Sequence, residues 1–211
     1  MNRFFPIVAL LLSGAVSARA DSLFSVVTAE NPDWGETEFS LEQDSQRASF
    51  ASAQTLRTAT VQYGVTPRLA IGFDARLGQR AAASPNIAWR LTRPKAPIGL
   101  NIGFQNIGVR SFGEQPYLVA SRDGKALSFH LGLTHDSDGS HPMLGVERHF
   151  GSRFEILGDT VAGSGNFTTL GAQLTLAPSL YLEVGYMIPN SRGNVGGLTF
   201  SIERDFQTRR R

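Results

Sequence analysis

Apolar and polar side chains alternate along most of this chain with a period of two. In APSLYLEVGY, residues 177–186, Leu180, Leu182, Val184 and Tyr186 fall on one side, and Tyr181, Glu183 and Gly185 on the other, after a Pro-Ser turn. Successive side chains of a strand point to opposite faces, so the stretch reads as a strand with one apolar face and one polar face. The same reading predicts strands near 36–43, 55–65, 69–77, 85–91, 97–107, 115–121, 127–134, 142–150, 154–160, 166–176, 180–188 and 195–206. No linker or change of composition divides them, which predicts one all-β domain over residues 21–211.

The connections sort by parity. After even-numbered strands come tight turns: Thr66-Pro67-Arg68, the region of Pro94 and Lys95, Asp123-Gly124-Lys125, Gly151-Ser152-Arg153 and Ala177-Pro178-Ser179. After odd-numbered strands come longer stretches rich in Gly, Ser, Asn and Asp, at 44–54, 78–84, 108–114, 135–141, 161–165 and 189–194. A closed, up-and-down antiparallel barrel of about 12 strands crossing an outer membrane produces this alternation, with short turns on one side and longer loops on the other. A Greek-key sandwich has no reason to do so.

Composition of the two rows decides which one meets lipid. One row holds residues such as Ile71, Phe73, Ile87, Trp89, Ile102, Phe104, Leu131, Leu133, Leu198 and Phe200. The other is small and Gly-rich, and carries Glu38, Asp74, Arg76, Arg90, Glu147, Asp159, Glu183 and Glu203 with almost no Lys. A water-facing outer surface would carry long solvated side chains, and Gly there would weaken a strand without return. Enclosed in a narrow barrel, the same row can pair its charges across the lumen while Gly permits curvature. The apolar row then faces hydrocarbon, where an open sheet edge cannot persist and the strands must close.

The ends and the composition agree with export. Residues 1–20, MNRFFPIVALLLSGAVSARA, have a basic start, an apolar run and small residues at Ala18 and Ala20, as a cleaved signal peptide does. Removing Arg3 and Arg19 leaves 18 basic against 18 acidic residues, so the mature chain is formally neutral and no nucleic-acid partner is expected. The basic run Arg209, Arg210 and Arg211 reads as a solvated tail. There is no cysteine, which excludes disulfides, thiolate metal sites and cysteine nucleophiles.

Phe206, ending the row Leu198, Phe200, Ile202, resembles the terminal aromatic of bacterial outer-membrane barrels, although QTRRR follows it here. The resemblance implies insertion by the barrel assembly machinery. YGVTPRLAIGFD (63–74) and LGVERHFGSRFEILGD (144–159) also resemble strand-turn-strand units of such barrels. More loosely, they are similar to barrels of the YjbH/GfcD type associated with exopolysaccharide and capsule secretion, which implies envelope polysaccharide components as partners.

The stretch LTHDSDGS (133–140) carries the one catalytic motif. His135 and Ser137 resemble the His-x-Ser of outer-membrane phospholipases and lipid A deacylases, which implies Ser137 as nucleophile and His135 as its base. Asp138 stands where the phospholipase motif has Asn, and Leu144, Val146 and Arg148 occupy the row where a third polar member would sit. A hairpin loop explains Asp, Ser and Gly equally. Asp136 and Asp138 lack the distal Glu of a calcium loop. His130 and His149 lie on the inward row without companions at ligand spacing, so no metal site and no cofactor are expected. The Gly-rich stretches at 163–166 and 192–197 precede no helix and cradle no phosphate.

A lumen with more acid than base would favour cations if water passes; Glu42, Asp205 and Arg57 fall on the inward row as well. Trp34, Trp89, Tyr63, Tyr117 and Tyr186 could form interfacial belts. The reading is a small outer-membrane barrel of non-enzymatic role in contact with outer-membrane lipid: a narrow channel for small solutes or an export-associated scaffold. Its alternatives are a lipid esterase using His135 and Ser137, and a soluble periplasmic barrel holding an apolar ligand among inward apolar rows.

Overall fold

The structure is a computed structural model that describes residues 23–47, 53–78, 83–108, 114–192 and 194–207. The expected signal peptide and the basic tail lie outside the described residues. Twelve strands follow in order: β1 (Glu36–Arg47), β2 (Ala53–Thr66), β3 (Leu69–Arg76), β4 (Ala83–Arg90), β5 (Gly99–Gln105), β6 (Gln115–Arg122), β7 (Leu127–Asp136), β8 (Gly139–Phe150), β9 (Phe154–Val161), β10 (Phe167–Ala177), β11 (Leu180–Pro189) and β12 (Gly197–Gln207). Each pairs antiparallel with its sequence neighbours, and β1 closes on β12 with Glu36 opposite Gln207 and Ser45 opposite Leu198. This is a closed transmembrane barrel of up-and-down topology.

Local chemistry sets the turns. Ser179 takes the left-handed conformation (φ 59°), which lets two residues link Ala177 to Leu180, and its carbonyl accepts the N–H of Asp205 at 3.1 Å. Between β2 and β3, the Thr66 hydroxyl accepts the N–H groups of Arg68 (3.2 Å) and Leu69 (3.0 Å). The expected parity of loop length fails at two places. Residues 137–138 alone connect β7 to β8, because Asp136 Oδ1 accepts the Asp138 N–H at 2.8 Å and Gly139 (φ 125°) completes the reversal. At the opposite end, residues 91–98 form a longer link between β4 and β5.

The apolar row turns outward around the barrel. Leu131 is 63% exposed, Leu170 56% and Phe73 54%, while the polar side chains Asn101, Ser128, Thr169 and Thr199 are enclosed. A soluble barrel with an apolar interior is therefore corrected: the large apolar side chains of these strands point away from the lumen, and lipid is the medium that makes that arrangement stable. Trp34, Tyr63 and Trp89 are exposed near the end that carries the short turns, and Tyr186 near the other. Tyr117 does not join a belt, because its β6 position faces inward and is 6% exposed. Arg57 also departs from expectation. It lies on the outward row and donates from Nε to Gln43 Oε1 at 2.9 Å.

Leu131 sits mid-strand, opposite Ala120 and Leu144. Leu131→Arg is expected to destabilise the barrel by about 2–4 kcal/mol, the cost of a cation at the bilayer midplane. Urea unfolding of the protein refolded into phospholipid vesicles measures it.

Candidate functional site in the barrel lumen

Residues 23–35 precede β1, and 23–32 run inside the barrel. Midway along the lumen Asp159 accepts the N–H groups of Ser25 and Val26, the latter at 2.9 Å. The segment descends past Ser121, whose Oγ accepts the Ala29 N–H at 2.7 Å, and past Asn101, which donates to Asn31 Oδ1 at 2.6 Å. At the short-turn end Asn31 donates to the Arg68 carbonyl, and the Gly35 N–H donates to that of Gly64. A segment in extended, irregular conformation has backbone donors that must be met; the inward side chains of Asp159 on β9 and Ser121 on β6 meet three of them, and the Gly64 carbonyl on β2 meets that of Gly35.

Small residues of the wall make room for it. A Cβ on Gly171 would lie 2.5 Å from the Phe24 ring, and one on Gly185 would lie 2.9 Å from it. A Cβ on Gly64 would meet the Asp33 carbonyl oxygen at 2.1 Å. Part of the Gly-rich inward row thus serves to admit a second layer of chain, beyond permitting curvature.

The lumen wall has two characters. On β6, β8 and β9, Tyr117, Val119, Met143, Leu157 and Val161 form a buried apolar cluster with Leu23, Val26 and Ala29 of the segment. Full burial of a Leu or Val side chain contributes about 1.5–3 kcal/mol, so this face holds the segment against one side. On the other side a polar cavity of about 250 Å³ remains, bounded by Phe24, Val27 and the strands opposite. Glu38, Glu42, Asp74, Glu183 and Glu203 line it, and no Lys or Arg is among its described lining residues. Asn86 steadies Asp74 through an Nδ2–Oδ2 hydrogen bond of 2.8 Å.

The remaining residues assigned to the interior from sequence occupy distinct places. Asp159 is 3% exposed and serves the segment. Arg76 stands on the row of Asp74 at the end of β3, and Arg90 lies at the opposite end of the barrel, beside Gly99 and Ala29. Asp205, 3% exposed, is enclosed near Ser179. Phe206 lies opposite Thr37 at the closure, with the Arg204 guanidinium 5.7 Å from its ring centre.

Glu147 belongs to a second constellation, on β6 to β9 at the short-turn end. Ser121 Oγ lies 2.7 Å from His130 Nδ1, and His130 Nε2 lies 3.1 Å from Glu147 Oε1. His149 places Nε2 3.0 Å from Ser128 Oγ and Nδ1 3.1 Å from Glu155 Oε1. The companions that the sequence did not supply for His130 and His149 come from register: His149 is opposite Glu155, and Glu147 is opposite Ser128. Among the described residues, Glu147, His149 and Glu155 offer ligand atoms within 4.8 Å of one another.

His135 and Ser137 are not brought together. His135 Nδ1 lies 3.0 Å from Ser140 Oγ, its partner across β7 and β8, whereas Ser137 Oγ donates to Asp138 at 3.4 Å. Asp136, one residue away and on the inward row, pairs with His141 Nε2 at 3.0 Å. Among the described residues, no carboxylate is shown orienting His135 in the manner of a triad.

Fold and lumen together define a small transmembrane barrel with a partly occupied interior. Solved porins share this fold. The KdgM porin superposes with a TM-score of 0.59 over 81% of this chain and 99% of its own, at 12% identity. The NanC porin superposes with 0.57 over 80% and 98%, also at 12% identity. No protein-family model matches the chain, and no curated protein matches it in sequence.

Proposed function

We propose that this protein is a narrow, cation-preferring channel of a Gram-negative outer membrane, delivered by its signal peptide and inserted by the barrel assembly machinery. In this reading the short turns face the periplasm, the longer loops face outward, and segment 23–32 constricts the pore. The observation that carries it is the cavity of about 250 Å³ lined by five carboxylates and no described Lys or Arg. That space is large enough to hold several water molecules. Rings of Asp and Glu in a water-filled pore draw cations and repel anions. The fold of the KdgM and NanC porins supports a solute path through the same interior.

Reversal potential in a planar bilayer under a KCl gradient tests the proposal. A small conductance with the sign of K⁺ preference is expected. A sealed barrel, or preference for Cl⁻, would overturn it.

A further inference from the structure

We propose that Glu147, His149 and Glu155 bind a divalent transition-metal ion, Zn²⁺ in the first instance, at the short-turn end of the lumen. The site does not depend on whether the barrel conducts. Its three ligands come from adjacent positions of β8 and β9, with ligand atoms inside 4.8 Å of one another. Donor atoms around a tetrahedral Zn²⁺ at its usual bond lengths stand about 3.4 Å apart, so modest side-chain rotation gathers these three. The fourth position is left to water.

Three further observations point to an ion. The first is a space of about 10 Å³ in this corner, lined by Glu30, Asp123, His130, Glu147 and Glu155 among others, with no Lys or Arg in its described lining. About one probe sphere of such volume accommodates a single water or ion. The second is the Nε2 atom of His130, which lines that space on a side chain 1% exposed and makes no hydrogen bond, although Glu147 Oε1 is 3.1 Å away.

The third is the pattern of serine contacts. His130 Nδ1 faces Ser121 Oγ and His149 Nε2 faces Ser128 Oγ, so each ring has one nitrogen on a hydroxyl; the other nitrogen faces Glu147 from His130 and Glu155 from His149, and His149 Nε2 also lies 3.8 Å from Glu147 Oε2. Ligating histidines are commonly oriented this way, with the second nitrogen on a fixed polar partner. Ser121 also accepts the Ala29 N–H, which joins the site to the lumen segment. Imidazole with carboxylate suits Zn²⁺ and neighbouring first-row ions better than Mg²⁺, which prefers oxygen alone.

The test uses the full mature protein refolded in detergent and titrated with ZnCl₂ by isothermal calorimetry. One saturable site per barrel is expected, with little response to MgCl₂. His149→Gln and Glu155→Gln should each weaken binding by about tenfold or more while keeping the heat-shifted electrophoretic band of a closed barrel. Anomalous diffraction from Zn²⁺-soaked crystals of the unaltered protein locates the ion whether or not the variants fold, and density between Glu147, His149 and Glu155 is expected. Absence of saturable binding, an ion seated elsewhere, or folded variants that bind as the parent does would overturn the proposal.

Discussion

Deleting residues 23–31 is expected to raise single-channel conductance several-fold. The segment fills the side of the lumen lined by Tyr117, Val119, Met143, Leu157 and Val161, and the present cavity is the space left beside it. Without it, the carboxylate-lined passage widens to the bare wall. Asp159→Ala should move in the same direction with less change to the chain. It leaves the Ser25 and Val26 N–H groups without their acceptor, at about 1–3 kcal/mol for each buried donor left unmet. Every 1.4 kcal/mol changes an equilibrium tenfold, so the docked segment should open measurably more often. Bilayer recordings would register these as a larger step and as added open-channel noise. Unchanged conductance in both variants, with the barrel still closed on a gel, would mean that the segment does not control the passage.

The second large effect is on selectivity. Combining Glu42→Gln, Asp74→Asn and Glu183→Gln removes three of the five carboxylates that line the cavity. A unit charge about 4 Å from a passing ion is worth roughly 1 kcal/mol in bulk water and about 4 kcal/mol at the effective dielectric of a protein surface. Three together should reduce cation preference by more than about tenfold, since each 1.4 kcal/mol is a factor of ten. The reversal potential under a KCl gradient should fall toward zero while the step size changes much less. A triple variant that keeps the parent's reversal potential would place the selectivity elsewhere in the pore.

The two effects draw on different parts of the chain, and those parts differ in how far they were legible in advance. Glu183 was readable as an inward residue because Leu182 and Val184 flank it and alternation is a local property. Residues 23–31 were not. SerValValThrAla carries no period of two, and nothing within it says that its N–H groups will meet Asp159 and Ser121, which are 133 and 92 residues away in the chain. The role of the lumen glycines was legible only in part for the same reason. Gly171 and Gly185 were visible, but the Phe24 ring they make room for was not.

The rim shows a smaller instance. The resemblance to a His-x-Ser motif implies that His135 works with Ser137. The strand instead ends at Asp136, and the two-residue reversal sets Ser140 opposite His135. Spacing along one strand is a weaker guide than pairing across two.

From its sequence alone this protein had twelve strands, an antiparallel up-and-down order and an outward apolar row, because each follows from side chains alternating within a few residues and from hydrocarbon tolerating no unpaired sheet edge. Closure of the barrel decided the rest: which inward side chains share a corner, as His130, Glu147, His149 and Glu155 do, and what fills the space between the walls. Those outcomes depend on register between strands and on the width of the enclosed lumen, quantities that belong to the closed sheet and to no single stretch of chain.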